Sequence, residues 1–381
     1  MNNVYLDFAA TTPIDPEVLD SMLPYFSEHF GNPSSIHKHG QKAESAVENA
    51  RGTISDLMHC EPSEIIFTSG GSEANNLALR GTALLRRRDM GANRIIISPV
   101  EHDAVQKTAK QLRDLFNFHL DFIPVDSDGK VILSEFKDML GNDVAIVSVI
   151  YGNNEIGTLN PVEEIGHLCK EVGIPLLTDA VQAMGYLDIR ATDNISLLSA
   201  GAHKFYGPKG VGFLYKRRSV SLLSTQTGGA QEGGTRAGTH NVPYIVGMAK
   251  ALQKTRKNQE EYINHYTLLR NLIITGVLGS IPSAKLTGSI SDRLCNHASF
   301  VFNGIDGNDL VMVLDMEGYS CSSGSACKTG NPEPSDVLLA IGMDPSQAKG
   351  SLRLTVGRAT TIEEINHFID ILPGVIFRLK K

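Results

Sequence analysis

A lysine among apolar neighbours and close to glycines can have its amine held neutral, and a neutral amine condenses with a carbonyl carbon. Lys204 stands in such a setting, Ala202-His203-Lys204-Phe205-Tyr206-Gly207-Pro208-Lys209-Gly210. Lys209 is its local competitor, but Pro208-Lys209-Gly210 reads as a turn. Asp179 follows the apolar run Leu176-Leu177-Thr178, at the carboxyl end of a predicted strand, and Gln182 lies just beyond. Such an aspartate can be a structural cap, or it can protonate and orient a pyridine nitrogen and so improve an electron sink. Ser69-Gly70-Gly71-Ser72 can bring backbone N–H groups to a phosphate at the positive end of the following helix; the same turn also serves as a plain strand-to-helix connection. It lacks the Lys-Ser/Thr terminus of a nucleotide-binding P-loop and the spacing of a dinucleotide turn.

Two further residues have types suited to chemistry. Cys327 lies between Ser322-Ser323-Gly324-Ser325-Ala326 and Lys328-Thr329-Gly330, a polar, glycine-containing setting that reads as a turn or mobile loop and favours access to the thiol. Cys321 competes with it, whereas Cys169 sits in an apolar pattern. The spacing of Cys321 and Cys327 is not that of a zinc or iron–sulfur motif, so no metal is expected. Arg353, in Gly350-Ser351-Leu352-Arg353-Leu354, can close a strand-edge salt bridge or grip a carboxylate with two directed hydrogen bonds.

These residues need elements to hold them. Ile65-Ile66-Phe67-Thr68 reads as a buried strand that runs through the glycine turn into a helix from Glu73 to Leu85. Further strands are predicted at Arg94 to Ser98, His119 to Val125, Val144 to Ile150 and Pro175 to Thr178. Helices are predicted over Gln41 to Met58 and after Asn160, the latter capped by Asn160 with Pro161 in its first turn. The alternation points to an α/β fold with a mainly parallel sheet and crossover helices. Beyond the glycine-rich stretch from Gly228 to Gly238, Val242 to Leu269 favours one long helix. His297 to Phe302 and Ser351 to Val356 then look strand-like, Leu310 to Met316 and Ile362 to Ile369 helical. The 381 residues exceed what one core holds comfortably, and a second, smaller domain is expected after about residue 255.

Composition narrows the function classes. A formal charge of −7 gives no general attraction to polyanions, and Arg86-Arg87-Arg88 and Lys216-Arg217-Arg218 read as solvated helix ends or turns, so no direct nucleic-acid binding is expected. Five cysteines, an odd number in a long chain, give no disulfide framework and suit a reducing compartment. The start of the chain has neither a basic amphipathic pattern nor an apolar signal core, and no apolar run approaches the roughly 20 residues of a membrane span. A cytoplasmic protein is the expectation.

Tyr5-Leu6-Asp7-Phe8-Ala9-Ala10-Thr11-Thr12-Pro13, Gly71-Ser72-Glu73-Ala74-Asn75-Asn76, Glu101-His102, Asn153-Asn154-Glu155-Ile156-Gly157, Asp179-Ala180-Val181-Gln182, His203-Lys204 and Ser323-Gly324-Ser325-Ala326-Cys327 occur in that order. From the N-terminus to Arg358 the chain resembles the NifS/IscS-like cysteine desulfurases, class V aminotransferase-like members of the fold-type I pyridoxal-phosphate enzymes. The resemblance implies a large domain over residues 13–255 with a mainly parallel sheet, and a smaller α+β domain from residues 1–12 and 256–381 carrying the cysteine loop. It places the cofactor-bearing amine on Lys204, the pyridine-nitrogen partner on Asp179 and a ring-face role on His102. Asn154 and Gln182 become polar cofactor contacts, and Gly71, Ser72 and His203 the phosphate environment. Thr239 becomes a phosphate ligand lent by the neighbouring subunit of a homodimer with shared active sites.

Arg353, with Asn154, is assigned to the substrate carboxylate and Cys327 to the sulfur-accepting position. Arg358 reads as structural, and Arg236 stays open between the two. The implied reaction converts L-cysteine to L-alanine and a persulfide on Cys327, for transfer to a protein acceptor such as an iron–sulfur scaffold or a sulfur-relay protein. A selenocysteine lyase or related pyridoxal-phosphate lyase is the near alternative; a catalytically weak sulfur-delivery scaffold is the distant one. Three positions depart from the pattern: Gly201 where a phosphate-contacting serine is common, Gly233 where a basic residue is common, and Lys328 where a small polar residue follows the cysteine.

Overall fold

Twelve strands form among the described residues: β1 (Val4–Tyr5), β2 (Ile65–Thr68), β3 (Arg94–Ile97), β4 (His119–Phe122), β5 (Val144–Ser148), β6 (Leu176–Asp179), β7 (Leu197–Gly201), β8 (Gly212–Lys216), β9 (Ala284–Leu286), β10 (His297–Phe302), β11 (Tyr319–Ser320) and β12 (Ser351–Thr355). The structure is a computed structural model and describes residues 3–192, 194–324 and 334–380. Seven strands make the main sheet in the order β2-β8-β7-β6-β5-β3-β4, in which only β8 runs against the others. Every residue of β2, β5, β6 and β7 is buried. Strands covered by helices on both faces need such continuous apolar runs rather than alternation.

The five strands expected in this half appear as β2 to β6, some shortened at one end. β7 and β8 complete the sheet and were not foreseen, because each flanks the lysine motif with no period of its own to read. They matter to the site: β6 and β7 pair in parallel with Asp179 opposite Ser199, so Asp179 and the segment after Gly201 emerge side by side.

Two helix expectations are corrected. Asn160 does not cap the helix Val162–Glu171, whose cap position is Pro161 without a side-chain bond. Asn160 instead accepts from Val131 N at 3.0 Å and donates to Ile150 O at 3.0 Å, spending both ends of its amide on tying loops together. The single helix expected from Val242 breaks into Val242–Lys257 and Gln259–Ser280. Asn258 leaves helical geometry (φ −110°, ψ 19°) while its Nδ2 donates to Lys254 O at 3.0 Å, the local competition by which asparagine ends helices.

The C-terminal part carries a separate antiparallel sheet, β12-β10-β9, and a short parallel pair, β1-β11. The N-terminal segment joins this part to the main sheet. Thr355 N donates to Leu6 O (2.8 Å), Ala9 N donates to Thr355 Oγ1 (2.9 Å), and Thr12 N reaches His203 O (2.9 Å). Ala9 and Ala10 are thereby laid across the carboxyl ends of β6 and β7. No helix among the described residues is long and apolar enough to cross a membrane.

Candidate active site

The carboxyl ends of the parallel strands frame a cavity of about 320 Å³ whose lining includes Gly71, His102, Asn154, Asp179, Lys204 and Arg353. β6 ends on Asp179; β7 ends on Gly201, and one 3-10 turn, Ala202–Lys204, delivers the lysine. Lys204 Nζ donates to Ala9 O at 2.6 Å and Ala10 O at 2.7 Å. Asp179 is buried and doubly bonded: Oδ2 accepts from Asn75 Nδ2 at 2.6 Å and Oδ1 from Val181 N at 3.0 Å. His102 caps the helix Asp103–Phe116, its Nδ1 accepting from Ala104 N at 3.1 Å, so the neutral ring carries its proton on Nε2. Gln182 Nε2 donates to Ala9 O at 2.7 Å.

At the other end of the cavity Gly71 and Ser72 open the twenty-residue helix Gly71–Met90, which has no side-chain cap. Its first N–H groups and dipole therefore favour an anion. Gly71 is required by space, since a Cβ there would lie 2.3 Å from Val181 Cγ2. Gly201 is not: a Cβ would meet Gly71 N at 3.4 Å, an ordinary contact, so the missing serine is a change in chemistry that this backbone does not impose. His203 touches Thr11 Oγ1 at 3.3 Å, and burial, with Lys204 and Lys209 nearby, lowers its pKa to about 4. The imidazole stays neutral at physiological pH.

Arg353 is held in two directions. Nη1 donates to Asn154 O at 3.0 Å and Nη2 to Asp7 Oδ1 at 2.7 Å, while buried Nε has no partner among the described residues. Two of its five N–H donors thus fix the guanidinium, and three remain. Arg358 is structural, as expected: it pairs with Asp15 Oδ2 at 2.9 Å and stacks on Tyr206, centroid distance 3.9 Å. Arg236 pairs with Glu73 Oε1 at 2.7 Å, fastening the glycine-rich segment to the first turn of the helix Gly71–Met90. Lys209 is exposed in a turn whose next residue, Gly210, has φ +84°.

Thr239 is exposed and does not line this cavity. The residue after it, His240, bonds Glu232 Oε1 at 2.5 Å, and Glu232 also receives both Arg51 Nη atoms at 2.8 and 2.9 Å. Burial opposes ionisation of Glu232, yet these donors and the Phe67 amide outweigh it and hold its pKa down to about 2. Gly233 follows in the same left-handed turn, with φ 49° at Glu232 and 61° at Gly233. Glycine adopts that conformation without steric cost, although Glu232 beside it adopts it too. Cys327 and Lys328 lie outside the described residues.

Four residues gain parts that the sequence did not assign. Asn75 carries Asp179, and Asp7 carries Arg353. Glu101 accepts from Ser148 Oγ at 3.2 Å and from the Ile150 amide; burial, then the neighbouring Asp179, pushes its carboxyl well above the usual range. Glu155, beside Asn154, accepts from Ser335 Oγ at 2.5 Å. Burial pushes its pKa up to about 7 against the opposing pull of Ser335, Arg353 and His102. All four stand inside or beside the quoted motifs, but nothing in a motif says that a carboxyl is buried.

Glu155 has a measurable consequence. Its folded pKa of about 7 exceeds the ordinary value of about 4.3 in an unfolded chain. The stabilisation from holding that proton is complete below the unfolded value and is lost as pH rises through about 7. Glu155→Gln keeps an acceptor for Ser335 but cannot ionise. Denaturant unfolding between about pH 4.5 and 8 should show a smaller loss of stability with rising pH in the variant than in wild type; identical pH profiles would place the proton elsewhere.

Residues 4–368 match the family model described as aminotransferase class-V. The chain belongs to that family. Pyridoxal phosphate is the family's cofactor. A protein of Clostridium botulinum named cysteine desulfurase IscS is 45% identical over 376 residues, 98% of this chain and 94% of that protein. One of the same name from Methanosarcina thermophila is 42% identical, covering 99% of this chain and 93% of the other. A solved structure titled NifS-like protein superimposes with a TM-score of 0.92 at 33% identity, covering 99% of this chain and 100% of that one. The mainly parallel sheet flanked by helices is thus the fold-type I architecture.

The residues fit the group. The uncapped helix start suits the phosphate, the buried Asp179 suits the protonated pyridine nitrogen, and Lys204 opens onto the space between them. A cavity of about 320 Å³ is of the size order of small cofactor clefts.

Proposed function

We propose that this protein is a cysteine desulfurase that converts L-cysteine to L-alanine and holds the released sulfur as a persulfide on Cys327. The observation that carries the reading is the convergence of Asp179, Lys204 and Arg353 on one cavity: an anion for a ring nitrogen, an amine and a carboxylate clamp. When bound, pyridoxal phosphate supplies an electron sink for the pair left on the substrate's α-carbon. Asp179 keeps the ring nitrogen protonated, while Gly71, Ser72 and His203 hold the phosphate. His102 covers the ring face, and Asn154 and Gln182 give it polar contacts.

Arg353 orients the substrate carboxylate through its remaining donors. Lys204 Nζ takes the α-proton and can return it to carbon. The Cys327 thiolate attacks the substrate sulfur, the carbon–sulfur bond breaks with its electron pair going to carbon, and protonation of that carbon leads to alanine. On the same reading residues 13–255 form the cofactor-binding domain and residues 1–12 with 256–381 the smaller one. The protein acts as a cytoplasmic homodimer in which Thr239 of each chain serves the other's phosphate site, and it passes sulfur to a protein acceptor.

The test measures alanine and sulfide formed from L-cysteine by the reconstituted protein, with L-selenocysteine in parallel, and locates bound sulfur by peptide mass spectrometry. Absence of L-cysteine-dependent alanine sinks the proposal; a strong preference for L-selenocysteine replaces it with the lyase. Arg353→Lys keeps the charge but loses the fork, and steady-state kinetics should show KM for L-cysteine raised by roughly 10- to 100-fold with a smaller change in kcat. An unchanged KM would remove Arg353 from the substrate site.

A further inference from the structure

A second cavity, of about 330 Å³, lies at the opposite ends of the strands. Pro175 and Ser196, immediately ahead of β6 and β7, line it together with Arg217, Ser219 and Ser221, just beyond the reversed strand β8. The helix Gly71–Met90 adds Thr82 and Arg86. Four residues of β6 at about 3.3 Å each put this cavity roughly 13 Å from the Asp179 end, so it is no extension of the active site.

Its polar groups share a sign. Arg86, Lys170 and Arg217 face it against one carboxylate, Asp89, in a chain whose net charge is −7. Asp89 is already engaged by Arg88 Nε at 2.6 Å. Arg217 is fixed by Thr192 O (3.0 Å) and Ile195 O (2.6 Å). Arg86 is different: its Nε is buried without a hydrogen-bond partner among the described residues, and burial alone lowers its pKa. Close by, the Thr82 hydroxyl is fully buried and also without a partner. Buried donors are normally satisfied, and a half-buried cation is costly without a counter-charge. One small anion would satisfy the guanidinium and add the surrounding hydroxyls as donors.

We propose that this cavity is a binding site for a small oxyanion of the phosphate class, held by Arg86 and Arg217 with the Thr82 hydroxyl and the serines of the rim. Arginine suits that ligand because its fork matches two phosphate oxygens at once. The proposal is independent of the desulfurase reading.

The experiment is a titration of the cofactor-saturated protein with inorganic phosphate at constant ionic strength, chloride being the balancing salt, so that the cofactor's own phosphate site is already filled. Wild type should gain roughly 2 °C in Tm at phosphate about tenfold above its Kd. Arg86→Gln should weaken phosphate binding by at least about tenfold, and Thr82→Val should weaken it less, both with basal activity unchanged. A parallel titration with glycerol 3-phosphate separates sources: a larger shift assigns the site to a phosphate monoester, no shift assigns it to the free anion. The site is overturned if wild type gives no phosphate-dependent shift, or if Arg86→Gln responds as wild type does.

Discussion

Lys204→Ala is expected to lower alanine formation from L-cysteine by at least about three orders of magnitude and to abolish the visible absorbance of lysine-bound cofactor. The expectation rests on where Nζ is held. Donation to Ala9 O and Ala10 O at 2.6 and 2.7 Å fixes the amine on the cavity wall, on the side where the N-terminal segment crosses the ends of β6 and β7. Among the described residues no other lysine lines that cavity, and Lys209, the nearest in sequence, is exposed in its turn. Because alanine removes one donor from Ala9 O, which keeps Gln182 Nε2, and one from the exposed Ala10 O, lost activity could still reflect some lost folding. Lys204→Arg separates the two: it retains a cation that can reach the carbonyls but cannot bond covalently to the cofactor. The pair of variants should share the kinetic defect while the arginine form melts closer to wild type. Near-normal turnover in Lys204→Arg would move the covalent attachment to another residue.

The elements around that lysine divide by how the sequence announces them. Strands buried on both faces, such as Val144–Ser148, stand out as continuous branched-apolar runs, and the helix Gly71–Met90 follows from its glycine turn and good helix formers. The equally short runs Leu197–Gly201 and Gly212–Lys216 have no such signature; they are strands because neighbours on both sides pair with them. The side chains aimed into the site were legible through their motifs, since Asp179, Lys204, His102 and Arg353 all line the cavity. What escaped was the layer that carries them. Glu101 is silent in sequence because its raised pKa depends on a burial and a neighbour, Asp179, that only the fold supplies. Asp7 sits in the N-terminal motif, yet its partner Arg353 is 346 residues away. Asn160 was misassigned for the opposite reason: a local capping preference was overridden by two long-range acceptor and donor demands.

Cys327→Ala is the second large effect: cofactor binding as in wild type, with persulfide formation and sulfur transfer reduced by about a thousandfold or more. Cys327 lies outside the described residues, so the argument runs through the other four cysteines. Burial pushes the thiols of Cys169 and Cys295 up to about 12. Cys60 reaches about 12 as well, through burial and then Glu64, Glu61 and Asp56. A thiol of that pKa is a thiolate in roughly one molecule in 10⁵ at pH 7, and the thiolate is the nucleophile. Cys321, the competitor in sequence, is also raised, by burial and then by the carboxylates of Asp7 and Asp315, with Arg353 opposing. Each of the four is thereby disfavoured as the attacking thiolate, which supports the proposed role of Cys327. Cofactor absorbance unchanged by the substitution, together with loss of the labelled peptide containing residue 327, is the expected pair of readouts. A persulfide found on Cys321, in a Cys327→Ala variant that still turns over, would mean that the local field of Arg353 overcomes two carboxylates and burial when substrate is bound.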